Sequence, residues 1–174
     1  SSSSFVPLCT ILAKHGRVLM FDLPGFGGVP RPRRRLRTAD FAEVVRRTLN
    51  ALHLENPVIV GHSMGSQIVT ELLATHGGLA SHAVLVGPIV TVDQRTFPAL
   101  DLRFARSARH ETLKTSANAL AAYAVCGPTW VTETLPNLLA YQTEDRIVGV
   151  GGEVLLVSGE HDATSPEDWL HFLA

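Results

Sequence analysis

Long apolar runs, cysteines and net charge are scarce in this chain, and each shortage removes a class of function. No stretch of 18 uncharged apolar residues occurs, so no helical membrane span is expected. The two cysteines, Cys9 and Cys126, lie far apart and form no C-x-x-C unit. They read as free or buried thiols of a protein that does not rely on disulfides, with a single bridge left open. Fifteen Lys and Arg stand against 16 Asp and Glu, for a formal net charge of −1 and a pI near 6.7. Nucleic acid and other polyanions are therefore not expected as partners. The chain has no H-E-x-x-H, paired C-x-x-C or EF-hand pattern, so no metal is expected. Gly25-Phe26-Gly27-Gly28 lacks the third spaced glycine of a dinucleotide loop, and Pro30 and Pro32 occupy the place of its helix. No cofactor is expected. Nor does a charged n-region followed by an apolar h-region open the chain, and a cytoplasmic location is the expectation.

What is present is enough for a core. The 174 residues are 45% hydrophobic and suit one domain. The most informative stretch is Gly61-His62-Ser63-Met64-Gly65, a G-x-S-x-G pentapeptide after the apolar run Pro57-Val58-Ile59-Val60. A helical segment, residues 66–76, follows it. Strand, tight turn and helix together present a nucleophile: Gly61 and Gly65 remove Cβ atoms where strand and helix approach, and Ser63 takes the strained apex. Its hydroxyl would then face backbone N–H groups and the positive end of a helix dipole. The competing reading is an ordinary serine in a glycine-rich turn.

The rest of the chain alternates strand and helix. A helical pattern over 5–14 ends at Gly16, and Arg17 to Phe21 reads as a short buried strand. The turn-rich loop Asp22-Leu23-Pro24-Gly25-Phe26-Gly27-Gly28 follows. Thr38 reads as an N-cap, and Phe41, Val44, Val45, Leu49 and Leu52 trace one helical face. Gly77-Gly78 stops the helix after Ser63. Strands are expected at 83–86 and 154–157, and Ser165 reads as the N-cap of a last helix with Pro166 at its first position. Between 91 and 147 the rhythm breaks into helical pieces, clearest at 119–125, punctuated by Pro98, Pro128 and Pro136. The alternation predicts an α/β fold with a mostly parallel sheet and helices on both faces. The expected division is 1–90 and 148–174 as core, with 91–147 as a helical insertion.

These residues resemble the α/β-hydrolase fold family, in its cap-bearing branch of esterases, lipases, perhydrolases and carbon–carbon bond hydrolases. Asp22-Leu23-Pro24-Gly25-Phe26-Gly27 is similar to that family's loop after the fourth strand. The Ser63 pentapeptide resembles the nucleophile elbow after the fifth, and Leu155 to Asp162 the seventh strand with its acid-bearing turn. Residues 91–147 fall where the cap is inserted. The resemblance implies a longer protein: the first three strands, with one donor of the oxyanion hole, would precede Ser1, and the catalytic histidine would follow Ala174. The missing third strand would leave residues 17–21 unpartnered, and instability of the isolated chain is expected from its unpaired edges.

Serine attacks only when a base takes its proton, and that base needs an acid to orient it. The family order assigns Ser63 as nucleophile, Asp162 as acid and the Met64 N–H to the oxyanion hole. A solvated turn aspartate is the alternative for Asp162. Asp93 is a second candidate acid and Glu160 a weaker one. None of the eight histidines (His15, His53, His62, His76, His82, His110, His161, His171) is placed to be the base, so the 174 residues alone are expected to be nearly inactive. The implied reaction is hydrolysis of a small, apolar carboxylic ester through an acyl-enzyme. Carbon–carbon bond hydrolysis, perhydrolysis and a catalytically dead binding module are the alternatives. The run Arg31, Arg33, Arg34, Arg35 and Arg37 reads as a solvated face. Phe104, Leu120, Tyr123, Trp130, Val131, Leu138 and Leu139 fit either a substrate lining or cap packing. Oligomeric state stays open.

Overall fold

A computed structural model describes residues 2–109 and 124–174. Three parallel strands form a sheet in the order β1 (Ile59–His62), β2 (His82–Val86), β3 (Glu153–Val157). Ile59 pairs with Ala83, and Ala83 with Val154. Between the strands run the helices that parallel pairing requires. They are α3 (Met64–Thr75) between β1 and β2, and α4 (Phe97–Ala108), α5 (Pro128–Ala140) and α6 (Thr143–Ile147) between β2 and β3, while α2 (Thr38–Ala51) precedes β1 and α7 (Glu167–Leu173) follows β3. Alternation along each strand sends Ile59, Ala83, Leu85, Val154 and Leu156 to one face, where they meet Val69 and Leu73 of α3. Leu72 is wholly enclosed. The expected parallel α/β architecture, a sheet flanked by helices, is what forms.

Several expectations need correction. Residues 17–21 form no strand, and Leu19, Met20 and Phe21 stay exposed. An extended segment becomes a strand only by finding a partner for its N–H and C=O groups, and among the described residues none pairs with it. The first helix, α1 (Val6–Leu12), is shorter than expected, follows a 3₁₀ turn at Ser2–Phe5 and buries nothing. Arg37, one residue before Thr38, is the N-cap of α2, and the Asp40 carboxylate accepts its N–H at 2.7 Å. Leu52 falls beyond the end of α2 and is exposed, while Ala42 joins the buried face. Pro166, not Ser165, is the N-cap of α7, and the buried Ser165 hydroxyl caps nothing. Pro136 lies inside α5 rather than between helical pieces, and Pro128 opens it. Most of the expected helix at 119–125, with Leu120 and Tyr123, lies outside the described residues, as does His110.

Chain contacts gather into two units, residues 1–35 with 111–134, and 36–110 with 135–174. In the first, the Asp22 carboxylate accepts the Ser2 N–H at 2.6 Å and the Ser2 hydroxyl at 2.9 Å. Gly25 (φ +83°) lies against the Trp130 indole and Gly27 (φ +57°) against the Asp22 carboxylate, so neither site has room for a Cβ. Arg31 is exposed as expected, yet it also donates to the Cys126 carbonyl at 2.5 Å and to Thr129 Oγ1 at 2.8 Å. Arg33, Arg34, Arg35 and Arg37 are exposed. The second unit holds the sheet. On α3, the Glu71 carboxylate accepts Arg146 Nε at 2.8 Å and the Tyr141 hydroxyl at 3.1 Å, tying α6 to α3. Burial, then the charge of Glu71, pushes the Tyr141 phenol well above its ordinary range.

Candidate active site

The site grows from the C-terminal end of the parallel sheet, where the elements that follow each strand converge. β1 ends at His62, and α3 begins at Met64. One residue, Ser63, makes the whole reversal. Its backbone sits at φ +56°, ψ −122°, a region an L-residue enters only at a cost of ~1–3 kcal/mol. Neighbouring bonds hold it there. The Ser63 N–H donates to the Val86 carbonyl at 2.9 Å, and its own carbonyl accepts the Ser66 N–H at 2.9 Å and the Ser66 hydroxyl.

Tightness explains the first glycine of the pentapeptide. A Cβ on Gly61 would lie 2.5 Å from the Gly65 carbonyl oxygen and 2.9 Å from the Ser66 nitrogen, both backbone atoms that cannot step aside. Gly65 itself has open space where its Cβ would point, so the expected second collision is absent. Ser63 is half-buried, and its side chain makes no capping bond to α3. Met64 opens α3, and its N–H is one of the four that a helix cannot satisfy internally. A free hydroxyl and an unused N–H are thus adjacent at a positive helix end.

The same sheet edge carries the acid-bearing turn. Beyond β2, the Gly87 N–H donates to the Val157 carbonyl at 2.7 Å, joining the ends of β2 and β3 as Ser63 joins β1 to β2. The turn then closes with Asp162 N–H to the Gly159 carbonyl at 3.0 Å. Asp162 is half-buried. Its Oδ1 accepts the Thr164 N–H at 2.9 Å, the Thr164 hydroxyl at 2.6 Å and the Ser107 hydroxyl at 3.3 Å. Its Oδ2 points to Gly87, where a Cβ would lie 3.2 Å from it and 3.8 Å from Cδ2 and Nε2 of His62. Gly87, at φ +52°, therefore leaves room between the carboxylate and the His62 ring. That neighbourhood was not legible in the sequence, because it depends on how β1 and β2 are paired.

The other two acids behave differently. Asp93 accepts from the Thr91 hydroxyl on one oxygen and from Arg103 Nη2 at 2.5 Å on the other. The Thr91 hydroxyl, with the Arg103 charge, holds its carboxyl below the usual range. Glu160 is exposed. Of the remaining histidines, His76 caps the C-terminus of α3, and His82 and His171 lie near Glu153 and Glu167 at 3.4 and 3.6 Å. Among the described residues no group of three or more His, Cys, Asp or Glu could hold a metal, and no helix is long and apolar enough to cross a membrane. Cys9 and Cys126 are free thiols.

With this geometry in hand, the sequence pattern of the alpha/beta hydrolase fold matches residues 1–126. The chain belongs to the α/β-hydrolase fold family. Over 74 residues it is 36% identical to the probable lysophospholipase BODYGUARD 4 of Arabidopsis thaliana, a match covering 41% of this chain and 18% of the relative. This chain therefore spans under a fifth of that relative's length. Solved structures of similar fold include an N-acyl homoserine lactone degrading enzyme, with a TM-score of 0.81 at 18% identity over 100% of this chain and 76% of the other. The esterase of Exiguobacterium antarcticum gives 0.76 at 16% identity over 99% and 74%. At such identities the likeness is one of fold.

Proposed function

We propose that this α/β-hydrolase is a serine hydrolase that cleaves carboxylic esters of small apolar molecules through an acyl-enzyme. Ser63 is the nucleophile, the Met64 N–H one oxyanion donor and Asp162 the orienting acid. One observation carries the reading. A serine in a backbone region hostile to side chains is held at a strand–helix reversal, with its hydroxyl uncapped and partly open to solvent. Strain kept at a single half-buried serine fits a functional constraint on that residue. The ladder ends that join β1, β2 and β3 support Asp162, since they put its turn at the same sheet edge. Asp93 serves less well because both its oxygens are engaged. The base is assigned to a histidine outside the 174 residues, and with it a second oxyanion donor, so turnover by this chain alone is expected to be nearly nil. Residues 91–147 are assigned as the helical cap segment of the chain.

In this mechanism the base takes the Ser63 proton as Oγ attacks the ester carbonyl. The oxyanion that forms is held by the Met64 N–H at the helix end, and the alcohol leaves with the proton. Water then repeats the sequence on the acyl-enzyme. A fluorophosphonate probe with peptide mapping tests the assignment in a chain extended to include the proposed histidine. Stoichiometric label on Ser63 is expected, with turnover of p-nitrophenyl esters and none of a vinylogous diketone. Label on another serine, or none, overturns it.

A further inference from the structure

We propose that Arg103 and Ser107 of α4 are positioning residues for the acid, bracing the peptide that follows Asp162; the inference rests on the serine-hydrolase reading of that site. The two residues are four apart, one helical turn, and so share a face of α4. From that face they grip both polar groups of one residue. The Ser107 hydroxyl accepts the Ala163 N–H at 3.0 Å, and Arg103 Nη1 donates to the Ala163 carbonyl at 3.2 Å. Gln94 Nε2 reaches the same carbonyl at 3.4 Å. A hydroxyl has one proton and can accept while donating, and the Ser107 proton goes to Asp162 Oδ1.

The consequence lies in which oxygen is left over. Thr164 and Ser107 together load Oδ1 with three donors, while Oδ2 faces the gap above Gly87 beside His62. An acid held by one oxygen offers the other, in a fixed direction, to the imidazole it must orient. Arg103 has a second effect. Its Nη2 holds Asp93, so one guanidinium engages the rival carboxylate and steadies the turn of the working one. A helix assigned to the cap thus holds the acid's backbone, and movement of that helix would be felt by the acid.

The test uses the full-length protein with Ser107→Ala, Ser107→Thr and Arg103→Met, read by amide exchange at Ala163 and by ester kinetics. In Ser107→Ala the Ala163 amide is expected to exchange several-fold faster. The same variant should lose roughly fivefold in kcat with KM unchanged, the scale of one hydrogen bond. Ser107→Thr keeps the hydroxyl and should restore both, and Arg103→Met should lower kcat similarly. Unchanged Ala163 exchange in Ser107→Ala overturns the brace. So does an unchanged kcat in Ser107→Ala and Arg103→Met when Ser63→Ala abolishes turnover. A parent no more active than Ser63→Ala sinks the serine reading instead, while the exchange data still judge the brace by itself.

Discussion

The Ser63 turn and the Asp162 turn lie at one end of the same sheet, yet they are built from opposite materials. Around Ser63 nearly everything is local. Gly61 packs on Gly65 and Ser66, and the Ser66 hydroxyl and N–H both return to the Ser63 carbonyl. Around Asp162 half the support is distant: Thr164 is local, while Ser107, Arg103 and Gln94 reach across from more than 50 residues away. Apart from the Val86 carbonyl that accepts the Ser63 N–H, the first device draws only on its own pentapeptide and Ser66. A distant one exists only when the intervening chain has folded back.

The largest test of the contrast is removal of the nucleophile. Ser63→Ala in the active, extended protein should lower kcat by about 10⁶-fold, measured by ester hydrolysis, with the fold intact by circular dichroism. Asp162→Asn comes next, with a loss of about 10⁴-fold at unchanged melting temperature, because the amide no longer fixes the right tautomer of the base. Gly61→Ala attacks the local device without touching either group. Its Cβ must displace backbone, and a loss of ~1–3 kcal/mol in denaturant stability is expected together with slowed fluorophosphonate labelling. Leu72→Ala, within α3 and wholly buried, should cost ~2–5 kcal/mol while labelling per folded molecule is kept.

The smallest effect concerns pH, away from both turns. Arg46, then Arg47, hold the Glu43 carboxyl down at about 2 from an ordinary 4.5. A depressed acid contributes stability above its unfolded value and loses it as pH falls through the folded one. Glu43→Gln should therefore flatten the stability profile between pH 4.5 and 2. The change should be slight, because the pair is exposed to solvent.

How much of this was legible in the sequence follows the same division. The pentapeptide, the glycine stop at Gly78, the helical face of Phe41, Val45 and Leu49, and the presence of strands at β2 and β3 were all readable, though not their one-sided burial. Each depends on residues a few positions apart, and short-range sterics and periodicity act within that range. Residues 17–21 show the limit. Their apolar run is strand-like, but a strand is a relation between two segments, and among the described residues no segment pairs with them. The N-caps at Arg37 and Pro166 differ by one position from the residues whose side chains favour capping, because packing of the following helix sets where it begins.

By itself, the sequence determined that a serine would stand at a glycine-backed reversal between strand and helix, since Gly61 and Ser63 leave the backbone few other ways to turn. Only the tertiary structure decided what that serine faces. Strand pairing set Gly87 between His62 and Asp162, and the return of α4 brought Ser107 and Arg103 onto the acid turn. Contacts over such separations are paid for by burial of the whole core, so no short stretch of residues encodes them.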